Sequence, residues 1–400
     1  MKRFKPVLLI LVSVVLIQVS CSQPNKNDKL SGLSADTLQL AHAKLQEYID
    51  QEKLAGISAL IYKDGKTVYR ENLGFADLET EKPMADDAIF RIFSMTKPIT
   101  AAALMTLYDE GKFKLDDKVS EFIPEFAETK VYNSETKTLE TQENELSIRH
   151  LLTHTSGIPY GWDQNAYVDS LYRATGAGGW DGTIGEKVKI IASLPLKFQP
   201  GTKWEYGLSI DVAGYLVEVL SGMPLDEYMK VTFFDPLGMD DTGFYTPEEK
   251  HGRLAGLYSL QSGNLEEARG GMSMAFKNPV TLFAGGAGLV STIDDYLTFS
   301  KMLLNGGELN GTRILSEEAA GLILTDQLPE GATYENNMGY GLAGGVNLIS
   351  GEYGWAGAAS TKFWINSQQN MIVITMAQLM PADYSYADAF KKILDRAVVN

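Results

Sequence analysis

The sequence predicts a mixed α/β fold in which helices flank one antiparallel β-sheet and a helical region is inserted into the sheet. Residues 56–70 and 362–376 each have the pattern of a β-hairpin, and they lie near opposite ends of the chain. A helical pattern lies outside each hairpin, and a long stretch of helix and loop patterns separates the two. Strands at both ends with helices outside them favour a single sheet with the middle of the chain inserted.

The first elements follow from local patterns. Asp36–Asp50 is predicted to be a helix, because Asp36 is a good N-cap residue and apolar residues recur at helical spacing. Two strands within Gly56–Arg70 meet at Asp64-Gly65, a dipeptide that favours the tight turn of a hairpin.

The later elements are predicted in the same way. Lys362–Asn366 and Met371–Met376 are strands around the turn Ser367–Asn370, and a final helix covers about Ala382–Val399. In the middle of the chain, the amphipathic run 209–222 ends at a glycine, which is a common stop for a helix.

Composition limits the classes of function. The 400 residues are 44% hydrophobic and 22% charged, which is typical of one large globular domain or two that pack closely. A net charge of -16 without a run of Lys or Arg argues against nucleic acid as a partner. The single cysteine excludes intramolecular disulfides and a cysteine-based metal cluster.

Residues 1–21 have the pattern of an export signal. Three basic residues precede the apolar run 6–19, which is short for a membrane span, and Cys21 follows. This resembles a bacterial lipoprotein signal, which implies lipidation of Cys21, a polar tether over 22–35, and a location on the periplasmic side of a membrane or on the cell surface. An ordinary signal peptide and an uncleaved anchor are the alternatives.

Ser94-Met95-Thr96-Lys97 places a hydroxyl three residues before an amine. On a helix these two side chains share a face, and a neutral lysine amine can accept the proton of a serine. Pro98 belongs in the first turn of a helix, so the helix is expected to begin near Ser94. The serine would then lie at the positive end of the helix dipole, which favours developing negative charge.

Further motifs follow in a fixed order. They are Leu-Leu-Thr-His-Thr-Ser-Gly at 151–157, Pro-Gly-x-x-x-x-Tyr at 200–206, Pro-Leu-Gly-Met-x-x-Thr at 236–242, Gly-Gly-Ala-Gly-Leu-x-Ser-Thr at 285–292 and Trp-Ala-Gly at 355–357. With Ser-x-x-Lys, this series resembles the serine β-lactamase-related family, which includes class C β-lactamases, DD-peptidases and esterases. The resemblance covers Asp36 to Asn400. It implies a β-lactamase/transpeptidase-like fold with an all-α insertion between about Met105 and Met274.

The resemblance also assigns the catalytic residues. Ser94 would be the acylated nucleophile and Lys97 its proton-accepting neighbour. Tyr206 would act as general base, with the ammonium of Lys97 favouring its phenolate. The backbone amides of Ser94 and Ala358 would form the oxyanion hole.

Two motifs depart from the family pattern. Leu208 stands where the family carries the asparagine of Tyr-x-Asn, with Ser209 as a weak substitute. Trp355-Ala356-Gly357 stands where penicillin-binding members carry Lys-Thr-Gly, so the cation that meets a substrate carboxylate is missing. Leu208, Trp355, Ala356 and Gly357 are expected to line the substrate site, with Gly357 allowing the strand edge to approach the substrate closely. The tryptophan resembles the Trp-Gly-Gly variant of the family's esterases.

Several residues allow two interpretations. Lys362 or Arg91 could replace the lost cation, or both could be surface residues. Tyr160, Trp162 and Trp180 could line a substrate groove or belong to the core of the insertion.

The histidines are not expected to bind a metal. His150 and His154 could share a helix face, but a site needs a third ligand, and a structural turn residue and a helix-surface residue are the preferred interpretation. Gly285–Gly288 lacks the Lys-Ser/Thr ending of a phosphate loop and is predicted to be a tight turn beside the cleft. No cofactor is expected.

The sequence therefore predicts an exported serine hydrolase that works through an acyl-enzyme on Ser94. Small esters or amides are the preferred substrates, because the carboxylate-binding cation of the third motif and the asparagine of the second motif are both absent. A β-lactamase, a D-amino-acid peptidase of the DD-carboxypeptidase type, and a non-catalytic penicillin-recognising protein are the alternatives.

Overall fold

The computed structural model describes residues 32–268 and 270–397. Within this part of the chain the largest sheet has eight antiparallel strands, in the order β12-β13-β14-β15-β16-β1-β2-β3. These strands are β1 (Gly56–Lys63), β2 (Lys66–Asp77), β3 (Lys82–Pro83), β12 (Met338–Tyr340), β13 (Gly345–Asn347), β14 (Tyr353–Gly357), β15 (Thr361–Asn366) and β16 (Met371–Met376).

Shorter strands form separate pairs. They are β4 (Phe90–Arg91) with β9 (Val290–Ser291), β5 (Val131–Asn133) with β6 (Thr138–Glu140), β7 (Tyr258–Gln261) with β8 (Asn264–Glu267), and β10 (Glu308–Leu309) with β11 (Thr312–Arg313).

Helices cover both faces of the large sheet. They are α1 (Ala35–Asp50), α2 (Thr96–Asp109), α3 (Val119–Phe122), α4 (Ile148–Leu152), α5 (Tyr167–Thr175), α6 (Ile184–Ala192), α7 (Ser209–Ser221), α8 (Leu225–Met229), α9 (Asp235–Leu237), α10 (Met272–Ala275), α11 (Ile293–Leu304), α12 (Glu317–Leu324) and α13 (Ser385–Ala397). Short 3₁₀ helices cover Phe93–Met95, Pro124–Glu128 and Glu248–Arg253, and a π-helical turn covers Lys230–Phe234.

The sheet joins the two ends of the chain, as predicted. The central strands β1 and β16 pair in register from Ser58 with Met376 to Lys63 with Met371, and both are almost entirely buried. The helices α1 and α13 pack on one face, where Tyr48 meets Tyr386 edge-on at 6.2 Å between ring centroids. On the other face, α11 contacts β1, β15 and β16. The predicted mixed α/β fold is confirmed.

The local predictions fare well, with differences at the edges. Asp64 and Gly65 both have positive φ, at 49° and 84°, as a two-residue hairpin turn requires. The helix α7 stops at Gly222, which has φ of 74°. The final helix begins at Ser385 rather than Ala382, because Asp383 is tied by its amide to Ser360 Oγ and accepts a bond from the Ser385 amide.

The inserted region contains short strands as well as helices. Between Met105 and Met274 the chain is mainly helical, and it also contains the hairpins β5–β6 and β7–β8, which were not predicted. The predicted signal 1–21, including Cys21, and most of the tether 22–35 lie outside the described residues. Of the helices that the structure describes, none has the length and apolar character to cross a membrane.

Candidate active site

Ser94 lies on the 3₁₀ turn Phe93–Met95, which leads directly into α2. Phe93 has φ of 40°, a left-handed conformation that is strained for a residue with a side chain. The ring of Phe93 is buried and meets Phe276 edge-on at 5.3 Å, which holds the turn in place. The strained turn therefore presents Ser94 at the N-terminal, positive end of α2.

Lys97 is fully buried, and its amine is the centre of the site. Nζ donates to Ser94 Oγ at 3.1 Å, to Tyr160 Oη at 3.0 Å and to the carbonyl oxygen of Gly286 at 2.6 Å. Three acceptors match the three N–H bonds of an ammonium group. The carbonyl of Gly286 is in position because its own amide donates to Asp211 Oδ1 at 3.1 Å. The glycine-rich turn at 285–288 thus supplies an acceptor for the lysine.

Tyr160 is the residue whose role the sequence left open. Its phenol bonds Lys97 Nζ, and its ring stacks on Trp162 with 4.3 Å between centroids and 7° between planes. Burial, with the nearby Tyr206 and Asp211, raises the pKa of the Tyr160 phenol well above its usual value. Tyr160 therefore remains a neutral phenol and belongs to the active site rather than to the core of the insertion.

Tyr206 lies just before α7, and its ring centroid is 4.7 Å from Lys97 Nζ. The segment around it is fixed by His154, whose carbonyl accepts from the Glu205 amide at 2.9 Å and whose Nδ1 accepts from the Gly207 amide at 3.4 Å. The His154 ring also packs against Tyr206 at 4.9 Å. The histidine of the Leu-Leu-Thr-His motif therefore holds the tyrosine of the next motif in place.

His154 and His150, which comes directly before the motif, both have structural contacts. His154 has φ of 54° and is fully buried, and this burial, with the charge of Lys97, lowers the pKa of its ring well below the usual range. The side chain of His150 closes a capping box with Ser147 at the start of α4, and burial lowers the pKa of His150 to about 4. Across the described ranges there is no group of three His, Cys, Asp or Glu side chains that could hold a metal ion.

The end of β14 packs directly against the turn that carries Ser94. A Cβ atom at Gly357 would lie 2.1 Å from the carbonyl oxygen of Ile92, so only glycine lets the strand come this close. The close approach is thus to the backbone before Ser94. Ala358 follows in a turn, and it lines the same cavity as Ser94. The two residues expected to supply the oxyanion hole are therefore neighbours in the site.

Trp355 connects the sheet to the candidate base. Its Nε1 donates to Tyr206 Oη at 3.4 Å, and the two rings lie 5.5 Å apart. Tyr340 meets the Trp355 ring edge-on at 5.2 Å, and Tyr334 lies 6.4 Å from it. The position that would carry a cation in penicillin-binding members therefore belongs to an aromatic cluster.

Ser94 opens into a cavity of about 670 Å³. Its walls are rich in aromatic side chains and include two acidic residues, Glu335 and Glu352. Other lining residues are Trp162, Tyr206, Tyr334, Trp355, Ala356, Ala358, Lys362, Trp364 and Tyr384. Trp180 does not line this cavity and instead meets Phe276 edge-on at 6.0 Å. Of the two tryptophans predicted with Tyr160, Trp162 therefore belongs to the groove and Trp180 does not.

Comparison with known proteins agrees with this arrangement. The model of the family described as "Beta-lactamase" matches residues 41–397. The chain belongs to the beta-lactamase family.

Its relatives in this family include enzymes of several specificities. Esterase EstB of Burkholderia gladioli is 31% identical over 379 residues, which cover 86% of this chain and 92% of that protein. A protein of Escherichia coli named as a D-alanyl-D-alanine carboxypeptidase is 25% identical, over 90% of this chain and 88% of its own length. The solved structure of EstCE1, a hydrolase with promiscuous acyltransferase activity, has a TM-score of 0.75 and 26% identity, and covers 90% of this chain and 98% of that one. As a member of this family with Ser94, Lys97 and Tyr206 in one cluster, the chain is a serine hydrolase.

Two predicted contacts of this beta-lactamase-family chain are wrong. Leu208 is 2% exposed and belongs to the hydrophobic core, so it does not contact substrate. It fills the last position before α7, where packing against the core decides its orientation. Ser209 is also buried and bonds Ser156 Oγ at 2.7 Å, so it does not replace the family's asparagine.

The two candidate cations differ in position. Arg91 is 2% exposed and donates to the carbonyl oxygen of Ala255 at 2.8 Å, so it is neither a surface residue nor part of the cavity wall. Lys362 lines the cavity, and its Nζ bonds Asp388 Oδ1 at 2.6 Å. Lys362 is therefore the cation that the cavity retains.

Proposed function

We propose that the protein is a carboxylic ester hydrolase that acts through an acyl-enzyme on Ser94. The observation that carries this proposal is the bond from Trp355 Nε1 to Tyr206 Oη, at the position where a substrate carboxylate would otherwise meet a cation. An indole offers one N–H donor and an apolar face, which suit an uncharged group next to the reacting carbonyl. The relative named as an esterase, EstB of Burkholderia gladioli, supports the same conclusion.

In the first half of the reaction, Ser94 Oγ attacks the carbonyl carbon of the ester, and its proton passes to the phenolate of Tyr206. The bond to the alcohol then breaks, and the alcohol leaves with that proton. Lys97, whose N–H bonds already have three acceptors, holds its position beside Ser94 and the ring of Tyr206 during this step.

The carbonyl oxygen becomes negatively charged in the tetrahedral intermediate. The amides of Ser94 and Ala358 would donate to it, and one such donor contributes about 3 to 4 kcal/mol to the transition state. A water molecule, deprotonated by Tyr206, then releases the acid from Ser94 by the same steps in reverse order.

A β-lactam or a D-amino-acid peptide would be cleaved by the same acyl-enzyme chemistry, and the carboxypeptidase-named relative supports this second candidate. The two candidates predict different preferences. Hydrolysis of p-nitrophenyl butyrate is expected to exceed that of nitrocefin, because nitrocefin carries a carboxylate beside its reacting ring. Faster turnover of nitrocefin would replace the esterase assignment with the second candidate.

The acyl-enzyme itself is tested by labelling with a fluorophosphonate and measuring the intact mass. The wild-type protein is expected to gain one adduct, and Ser94→Ala to gain none and to lose at least about 10³-fold in ester hydrolysis. Ser193→Ala is the matched control, because Ser193 is exposed at the end of α6 and should label and hydrolyse like wild type. Labelling of Ser94→Ala, or its absence in wild type, would refute the mechanism.

We further propose that the protein is exported and anchored through a lipid on Cys21. The support is the basic and apolar pattern of residues 1–21 with the chain's single cysteine at its end. Replacing Cys21 with serine should move the protein from the membrane fraction to the soluble fraction. An unchanged distribution would refute lipid anchoring.

A further inference from the structure

Lys362 stands beside the strand that forms one wall of the cavity. In the antiparallel ladder it is paired with Ala356, the middle residue of Trp355-Ala-Gly357. Directly paired residues of neighbouring strands point to the same face of a sheet. Lys362 therefore projects from the same face of the sheet as Ala356, and Trp355 projects from the opposite face, so this cation lies at a different place from the one missing at position 355.

The Lys362 ammonium is partly withdrawn from water between two aromatic rings. Nζ lies 5.0 Å from the ring centroid of Trp364 and 5.6 Å from that of Tyr384, and only 23% of the side chain is exposed. Tyr384 Oη in turn donates to the carbonyl oxygen of Gly357 at 3.1 Å, so the tyrosine ring lies between the ammonium and the strand end that carries Ala358.

The Lys362 ammonium has N–H bonds that are available to a ligand. Of its three N–H bonds, one is used by Asp388, and within the described residues no other hydrogen-bond acceptor of Nζ is found. The Asp388 side chain is 58% exposed, on α13 at the edge of the cavity, so water can replace Lys362 as its partner at little cost.

The other charges of the cavity do not cancel this cation. Glu352 is mostly buried and forms an ion pair with Lys391 at 2.9 Å. Burial raises the pKa of the Glu352 carboxyl above its usual value. Glu335 lies on the solvent side of the cavity wall, where its charge is screened.

We propose that Lys362 is an anion subsite of the cavity, which binds a carboxylate group of the substrate, and that Asp388 competes with the substrate for it. The proposal rests on the esterase assignment, and it narrows the substrate class to esters that carry a carboxylate away from the reacting carbonyl. Asp388 would then set how strongly such substrates are preferred over neutral ones.

Two matched pairs of esters test the subsite, and each pair replaces a carboxylate with an uncharged carboxamide. The adipate pair, 4-nitrophenyl hydrogen adipate and its carboxamide, places the anion on the acyl side. The benzoate pair, 4-acetoxybenzoate and 4-acetoxybenzamide, places it on the alcohol side. The quantity measured is the ratio of kcat/KM for the charged ester to that for its neutral partner.

Lys362→Met should lower this ratio about tenfold in at least one pair, as expected for loss of one charge-assisted hydrogen bond. Asp388→Asn should raise the ratio in the same pair, because the lysine loses its internal competitor. Both variants break the same ion pair, so a merely structural role of that pair would move the ratio in the same direction in both. The control is Lys392→Met, because Lys392 is an exposed lysine of α13, the helix that also carries Asp388. This variant should leave the ratio unchanged.

Equal directions of change in Lys362→Met and Asp388→Asn, or an unchanged ratio in both pairs, would overturn the subsite. Failure of the esterase assignment would show differently, as absence of turnover of the neutral esters. In that case the subsite is tested by binding alone, with calorimetry of the same compounds on proteins that also carry Ser94→Ala. The ratio of the affinity for the charged compound to that for its neutral partner should fall in Lys362→Met and rise in Asp388→Asn.

Discussion

The two walls of the cavity differ in how many of their polar groups are already paired. The helical wall carries Lys97, and the sheet wall carries Trp355 and Lys362. On the helical wall, Lys97 is fully buried and each of its N–H bonds has an acceptor, so the group cannot move without leaving a polar atom unpaired. On the sheet wall, Trp355 makes one long hydrogen bond, and Lys362 shares its charge with a single exposed carboxylate. On the helical wall all three N–H bonds of Lys97 have acceptors, whereas on the sheet wall Lys362 has N–H bonds available to a ligand.

This difference separates chemistry from specificity. Residues that must activate Ser94 are held by buried contacts from several segments, including α2, the loop at Tyr160 and the turn at Gly286. The residues proposed to select a substrate lie on β14 and β15, where Trp355 and Lys362 each contact neighbouring aromatic rings. The family's Ser-x-x-Lys motif and the tyrosine of the second motif are present here, while the asparagine of Tyr-x-Asn and the strand motif are replaced.

The largest effect is expected from removing the charge of the helical wall. Lys97→Met keeps the length of the side chain but leaves Tyr160 Oη and the Gly286 carbonyl without their donor. Labelling of Ser94 and ester hydrolysis should fall about 10³-fold, and the free energy of unfolding should fall by about 1 to 3 kcal/mol. Labelling rate and chemical denaturation measure the two effects. Activity within tenfold of wild type would show that the ammonium is not needed to activate Ser94.

The same contrast explains which parts of the molecule could be predicted from the sequence. The hairpin at Asp64-Gly65 and the stop of α7 at Gly222 depend on local backbone conformation, which the residue types determine. Ser94, Lys97 and Tyr206 lie in ordered motifs that the family resemblance identifies. These predictions needed no knowledge of how distant segments pack.

The remaining features depend on contacts between distant segments. Tyr160 could be assigned to the site only when α2 and the loop after α4 were seen to meet at Lys97. Leu208 was predicted to contact substrate from its motif position, but core packing turns it inward. The Lys362–Asp388 pair joins a strand to the last helix, 26 residues apart in the chain, and no sequence pattern indicates it.

An intermediate effect is expected at Tyr160, on the helical wall beside Lys97. Tyr160→Phe removes one acceptor of Lys97 and keeps the ring that stacks on Trp162. Ester hydrolysis should fall about 10- to 100-fold, and the free energy of unfolding should fall by about 1 to 3 kcal/mol because one N–H bond of the buried Lys97 loses its acceptor. Tyr172→Phe is the matched control, because the Tyr172 hydroxyl is buried and has no hydrogen-bond partner within the described part of the chain. A similar loss in both variants would mean that the Tyr160 phenol has no specific role.

The smallest effect is expected on the sheet wall. Trp355→Phe keeps an aromatic face but removes the N–H that donates to Tyr206 Oη at 3.4 Å, and so long a bond contributes little. The kcat/KM for p-nitrophenyl butyrate should fall about 3- to 10-fold, which corresponds to a net hydrogen bond of about 0.5 to 1.5 kcal/mol. Trp162→Phe is the control, because its ring lies 6.0 Å from that of Tyr206 in the same cavity. An equal loss in both variants would assign the effect to the aromatic lining as a whole, and a loss confined to Trp355→Phe would assign it to the bond with Tyr206.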